Sequence, residues 1–417
     1  MNKLLVIPIL AIILIVIDLY AHSAIKIFFK NRSARFLRIF AVVFWLITLF
    51  SIVGLFVFHF TGTSLLSFHQ RSLLMAFLFV SYFSKGIIMI ITFLGDIIEW
   101  IQNFFFNSRR ISIPEDQGTQ SGMTRGEFIK KAAVATAALP FTTLSFGIIN
   151  GVHNYRIVFK KINLPNLPDS FHGIRIGQIS DIHSGSFFDR KSVIGGVELL
   201  AKQKTDLVFF TGDLVNNETK EVNAYVDIFK KVKAPMGVFS TLGNHDYGNY
   251  RSWPSEKAKA QNLKDMHNAH KLLGWNLLNN KNHMLELNGE KLAIVGVENW
   301  GTGRFPKYGD LASANAGTEE AAVKLLLSHD PSHWDAQVRP NFQDIDVMFA
   351  GHTHGFQFGI ETTNFRWSPS QYLYKQWADL YQKENQYLYV NRGFGFLGFP
   401  GRIGIEPEIT IFELVKA

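Results

Sequence analysis

Five short segments of the chain carry side chains able to bind divalent metal ions. They are Asp181-Ile182-His183, Gly212-Asp213, Gly243-Asn244-His245-Asp246, Ser328-His329-Asp330 and Gly351-His352-Thr353-His354. Carboxylate, amide and imidazole donors together suit Mn, Fe or Zn better than Ca. Two such ions about 3.5–4 Å apart need a carboxylate between them and further donors on each side. Asp213 is the expected bridge. Asp181 and His183, two residues apart, can turn toward one ion. His352 and His354 share that spacing and can serve one ion each, while Asn244 adds an amide oxygen and His329 an imidazole. Asp and Asn are common in turns, so any one segment alone reads as structural. Their succession along the chain carries the metal reading.

The elements that must position these donors are equally regular. Each segment follows an apolar run, at 174–179, 207–210, 237–242, 325–327 and 346–350. Such runs read as buried strands, and helical patterns between them, as at 193–203, make the class α/β. Open α/β sheets hold their ligands at the carboxyl ends of the strands, which is where these donors fall. A longer insertion at 361–386 carries Phe365, Trp367, Tyr372, Tyr374, Trp377 and Tyr381, either packed among themselves or forming a lid against lipid.

The 417 residues divide by composition. Residues 1–105 hold three apolar stretches of spanning length, 4–20, 36–60 and 73–100, the last interrupted by Lys85 and Asp96. A polar cytoplasmic loop is expected at 106–127 and a fourth transmembrane or interfacial helix at 128–152. Residues 153–417 then form the catalytic domain. Lys26, Lys30, Arg32, Arg35 and Arg38 follow the first stretch, and Arg109, Arg110, Arg125, Lys130 and Lys131 follow the third; only Arg71 lies between the second and third. The positive-inside rule puts the first and third loops in the cytoplasm. A spanning fourth helix then places the catalytic domain outside, in the periplasm, on a multi-pass protein of the inner or plasma membrane. Lys85 reads as a lysine paired with Asp18 or Asp96. The net charge of +8 is explained by this loop asymmetry, and no nucleic-acid motif is present, so no nucleic-acid partner is expected. The absence of cysteine excludes disulfides and thiolate ligands. His153, His172, His267, His270, His283 and His333 read as structural.

From about residue 172 to 415 the chain resembles the calcineurin-like metallophosphoesterases, and within them a membrane-anchored bacterial subgroup. The resemblance implies a four-layer α/β/β/α sandwich. It implies that Asp181, His183, Asp213 and His354 hold one metal and that Asp213, Asn244, His329 and His352 hold the other. It makes His245 the general acid, oriented by Asp246. Asn216 and the run Gly355-Phe356-Gln357 depart from the family pattern at the rim of the site. Arg392 and Arg402 read as surface charges or as phosphate contacts. The expected activity is hydrolysis of a phosphate ester through a metal-activated hydroxide. The anchor points to a phospholipid or a lipid-linked phosphate or pyrophosphate as substrate. A catalytically idle membrane receptor or scaffold is the alternative.

Overall fold

A computed structural model describes residues 3–61, 68–106 and 123–417. It divides into two compact units, Met1–Phe146 and Gly147–Ala417.

The first unit is helical: α1 (Lys3–Phe28), α2 (Ala34–Thr61), α3 (Phe68–Phe106) and most of α4 (Arg125–Ile149). Four stretches are long and apolar enough to cross a membrane: Pro8–Phe28, Ala34–Phe60, Gln70–Phe105 and Arg125–His153. Most of the polar loop expected at 106–127 lies outside the described residues. Lys85 pairs with Asp18 at 2.6 Å. The second oxygen of that carboxylate accepts from the Thr48 and Tyr82 hydroxyls, each at 2.8 Å. A charge among apolar helices is costly unless paired and hydrogen-bonded; Lys85 is paired, and the Asp18 carboxylate is both.

The second unit contains strands β1 (Arg156–Leu164), β2 (Arg175–Ile179), β3 (Leu207–Phe210), β4 (Val238–Ser240), β5 (Asn276–Leu277), β6 (Lys281–Leu287), β7 (Glu290–Gly296), β8 (Val323–Leu327), β9 (Val347–Ala350), β10 (Ile360–Glu361), β11 (Arg366–Trp367), β12 (Asp379–Lys383), β13 (Gln386–Val390) and β14 (Glu408–Lys416). One sheet runs β1-β14-β2-β3-β4-β5, the other β12-β13-β9-β8-β7-β6, and β10 pairs with β11 alone. Within the sheets β2, β3 and β4 are parallel to one another, as are β7, β8, β9 and β13.

The central strands are apolar throughout because both their faces are covered. In β3, Leu207 and Phe209 join Phe349, Leu325 and Phe412 between the two sheets, whereas Val208 and Phe210 pack outward. The outward layer is closed by α5 (Arg190–Lys202), α6 (Val226–Phe229) and α7 (Glu256–Leu273), through residues such as Val197, Phe229 and Met266. On the far side of the second sheet, Leu311 and Ala314 of α8 (Leu311–Asn315), with Trp334 and Val338, cover Val295, Leu326 and Met348. The result is a helix–sheet–sheet–helix stack. Helix α7 is set by its ends. Ser255 caps it by accepting from the Ala258 N–H, and Gly274, with φ of 78°, closes it.

His270 of α7 gives a pH test of this packing. It is fully buried, with Nδ1 2.9 Å from the Ser240 hydroxyl and Nε2 without a partner. Burial pushes its pKa down to about 3. The unfolded chain titrates near 6.5, so this group's stability contribution is complete above that pH and is lost as pH falls toward 3. We expect it to cost about 2 kcal/mol at pH 5, at about 1.4 kcal/mol per pH unit. The urea midpoint measured by near-UV circular dichroism should fall with acid, and His270→Asn should flatten that slope.

Candidate metal centre

The carboxyl ends of β2, β3, β4, β8 and β9 meet at one end of the stack, and their loops are tied together by backbone hydrogen bonds. Asp181 N–H donates to Gly212 O at 2.9 Å, His183 N–H to Asp213 O at 3.1 Å, and Gly351 N–H to His329 O at 2.9 Å. A link between the sheets comes from the Asp181 carboxylate, which accepts the His352 N–H at 2.9 and 3.0 Å. Asp181, His183, Asp213, His352 and His354 all have positive φ, between 48° and 74°. Non-glycine residues held there cost on the order of 1 kcal/mol each, and such strain gathers at functional sites. Two glycines permit close approach here: a Cβ at Gly243 would lie 2.2 Å from Asp213 Oδ1, and one at Gly351 would lie 2.1 Å from Asp181 Oδ2.

The donor atoms form two triads, Asp181–His183–His354 and Asp213–His329–His352, each with its ligand atoms within 4.8 Å of one another. Asp213 Oδ2 joins them, lying 3.5 Å from His183 Nε2 and 3.2 Å from His329 Nε2. His354 Nε2 is 3.3 Å from Asp181 Oδ1, and His352 Nδ1 is 3.2 Å from His329 Nε2. The outer ring nitrogens are fixed by neighbours. His183 Nδ1 donates to Asn216 Oδ1 at 3.1 Å and His329 Nδ1 to Thr211 O at 2.7 Å. This leaves Nε2 of each turned toward the triads. Asn244 Nδ2 donates to the Tyr250 hydroxyl at 2.8 Å, while its Oδ1 is buried without a partner. His183 Nε2 and His354 Nε2 are also buried and unpartnered. Buried polar atoms are otherwise nearly always satisfied, so three orphaned donor atoms in one cluster fit a pair of bound cations.

The electrostatics suit the same reading at three of the four imidazoles, while at His329 burial is outweighed by the Asp213 and Asp181 carboxylates, which raise the pKa to about 10. Burial lowers the imidazoles of His183 (to about 3), His352 and His354, which keeps them in the neutral form that offers a lone pair. Burial alone would raise Asp213, but His329, His245 and His183 around it hold it well below the usual carboxylate range. Asp181 is raised to about 6, chiefly by burial.

His245 is half-buried, its ring 5.0 Å from that of His183 and stacked on Tyr250 at 4.2 Å. Its orienting partner is not Asp246. His245 Nδ1 is 2.7 Å from the Asn216 carbonyl. The Asp246 carboxylate instead accepts the backbone N–H groups of Asp213, Leu214 and Gly243 at 2.8–2.9 Å. It is turned under the β3 loop because those three amides end a strand and have no ladder partner. Burial and the neighbouring Asp213 raise its pKa to about 7. Asn216, expected only at the rim, therefore positions both His183 and His245. Tyr374 is the other addition: its hydroxyl lies 2.7 Å from His352 Nε2. It comes from the aromatic insertion, where sequence spacing gives no sign of which ring reaches inward.

Arg392 and Arg402 are neither surface charges nor free phosphate contacts. Arg392 is buried against Glu408 and Glu361. Arg402 is buried on the carbonyls of Arg392, Gly393 and Gly395, with Nη2 3.1 Å from His354 Nδ1.

A two-sheet sandwich with an Asp/His/Asn cluster across its strand ends defines a class. Residues 174–356 match the calcineurin-like phosphoesterase family, and residues 2–152 match the family described as probable calcineurin-like phosphoesterase, transmembrane domain. The chain belongs to the calcineurin-like metallophosphoesterases, and it is a membrane protein and a metal-dependent phosphoesterase. The uncharacterized metallophosphoesterase YkuE of Bacillus subtilis is 27% identical over 298 residues, covering 70% of this chain and 98% of YkuE. A transmembrane protein with metallophosphoesterase domain from Danio rerio is 27% identical over 293 residues, covering 69% of this chain and 62% of that longer protein. The UDP-2,3-diacylglucosamine pyrophosphatase LpxG of Chlamydia trachomatis is 26% identical over 279 residues, covering 55% of this chain and 81% of its own.

Proposed function

We propose that the chain is a dinuclear phosphoester hydrolase acting on a phosphate or pyrophosphate group carried by a membrane lipid. The observation that carries the dinuclear reading is the position of Asp213 Oδ2, within 3.5 Å of a donor from each triad. Asp181, His183, Asp213 and His354 would hold one divalent ion and Asp213, Asn244, His329 and His352 the other, with Mn, Fe or Zn favoured by the donor chemistry. Such ions supply a hydroxide source near neutral pH and positive charge for the phosphoryl oxygens. His245 is the general acid. Its Nδ1 is occupied by the Asn216 carbonyl, which leaves Nε2 as the atom that passes a proton to the leaving oxygen. Asp246 holds the Asp213 loop in place and takes no part in proton transfer.

The lipid substrate is supported by the four apolar helices and by the similarity to LpxG, named as a UDP-2,3-diacylglucosamine pyrophosphatase, although a UDP-linked substrate of that kind would fit only a cytoplasm-facing domain. The distribution of Lys and Arg in the loops supports an extracytoplasmic catalytic domain within residues 153–417, on an inner- or plasma-membrane protein. Turnover of bis-p-nitrophenyl phosphate by the full chain with added Mn²⁺ tests the hydrolytic reading. Absence of turnover with every divalent metal, in folded protein, overturns it. His245→Ala should slow esters with poor leaving groups most, by about 10²–10⁴-fold. An equal loss across leaving groups of different pKa would remove the acid role.

A further inference from the structure

We propose that the apolar face formed by residues 356–373 rests on the lipid bilayer. Its first strip inverts the usual pattern of a soluble strand. Phe356, Phe358 and Ile360 are exposed, while Gln357 and Gly359 between them are buried. Gln357 spends its polar groups inward, donating to the Phe399 and Gly401 carbonyls and accepting from the Leu397 N–H. An antiparallel sheet with one face in water carries polar side chains on that face; here the outward side chains are all apolar.

The insertion extends the same surface. Ile360 of β10 lies opposite Trp367 of β11, and Phe365 is exposed beside it. The Trp367 ring meets that of Phe358 at 6.2 Å, and its Nε1 lies 3.4 Å from the Tyr372 hydroxyl. Tyr372 and Leu373 are 74% and 71% exposed. Apart from the exposed polar turn of Thr362, Thr363 and Asn364, this surface is apolar, and an exposed apolar face of this kind marks a contact with protein or membrane.

The position of the face selects the membrane. Gly359 N–H donates to Ile403 O at 2.9 Å, and Phe358 is bridged to Ile403. The preceding residue, Arg402, donates its N–H to Gly147 O at 3.1 Å, and a Cβ on Gly151 would lie 2.0 Å from its carbonyl oxygen. Residues 402–403 are thus held between the closing end of the fourth apolar stretch, Arg125–His153, and the exposed strip. An apolar face separated by one segment from the end of a membrane-spanning helix meets the bilayer before any soluble partner. Its Trp and Tyr side chains suit the headgroup level. The face also adjoins the metal centre, since Phe356 is two residues from His354 and Tyr374 follows Leu373. Bilayer contact itself requires no hydrolysis, so it stands apart from the reading of the site.

The test uses the absence of cysteine from the chain. Phe365→Cys, Tyr372→Cys and Leu373→Cys are made singly in the full chain, with Leu272→Cys on α7 as an exposed apolar control. Each is nitroxide-labelled and reconstituted into phosphatidylcholine–phosphatidylglycerol vesicles. Oxygen should relax the three labels strongly and nickel ethylenediaminediacetate weakly, with a ratio severalfold above that at Leu272. A ratio equal to that at Leu272 means the face is in water and overturns the proposal. Protection from both reagents means a protein, such as a second copy, covers it, and overturns the proposal as well.

Discussion

Asp213→Asn is expected to lower phosphoester hydrolysis by about 10³-fold or more and to reduce bound metal together with it. The substitution is nearly isosteric, so the Asp213 backbone amide can still donate to Asp246 and the loop can keep its shape. What changes is the oxygen shared by the two triads, 3.5 Å from His183 Nε2 and 3.2 Å from His329 Nε2. A neutral amide offers that position one weak oxygen donor and no charge. Loss of several kcal/mol of transition-state stabilisation corresponds to about three decades at 1.36 kcal/mol each. Metal content is read by mass spectrometry of the purified full chain, alongside turnover. Near-wild-type metal with lost activity would mean that Asp213 acts on substrate and does not bridge. Retention of both would remove the ligand assignment altogether.

The second large effect concerns stability. Arg392→Met should destabilise the catalytic unit by about 3–5 kcal/mol, because it strips the buried Glu408 of its close counter-charge and leaves only Arg156, 3.9 Å away. Arg392 pairs with Glu408 and Glu361. Glu408 also accepts from the hydroxyls of Tyr389 at 2.7 Å and Thr410 at 2.6 Å. These carboxylates raise the pKa of Arg392 against the opposing effect of burial. Adding Glu408→Gln should restore much of the loss, since a neutral amide can keep the Tyr389 and Thr410 bonds. Equal instability of the single and double variants in chemical denaturation would show that shape, not charge, governs this corner.

What could be read from the sequence and what could not divide along physical lines. Strand β3 falls on residues 207–210 as its apolar run indicates, because a strand covered on both faces has no other pattern. The donors were legible for a related reason: each sits just past a strand, where parallel topology gathers the ends. Partners supplied from far along the chain were not legible. Arg392 looks like any exposed arginine until β14 brings Glu408 beside it. Asp246 adjoins His245 in sequence, yet the turn after β4 sends its carboxylate to the backbone of the β3 loop. Asn216, three residues past Asp213, took over the imidazole. In the insertion at 361–386, aromatic composition alone did not distinguish Tyr374, which reaches His352, from Tyr372 and Leu373, which face outward.

The pairing of β1 with β14 sets an order on assembly. Arg156 is in register with Glu408, and β14 continues on its other edge to β2. A ribosome therefore releases nearly the whole catalytic unit before the strand that seals its first sheet exists. Until then β1 has no neighbour and the open edge of β2 is a ready template for stray strands. Shortening the chain by the β14 residues should thus do more than fray an end: it should divide the sheet and leave a product prone to aggregation.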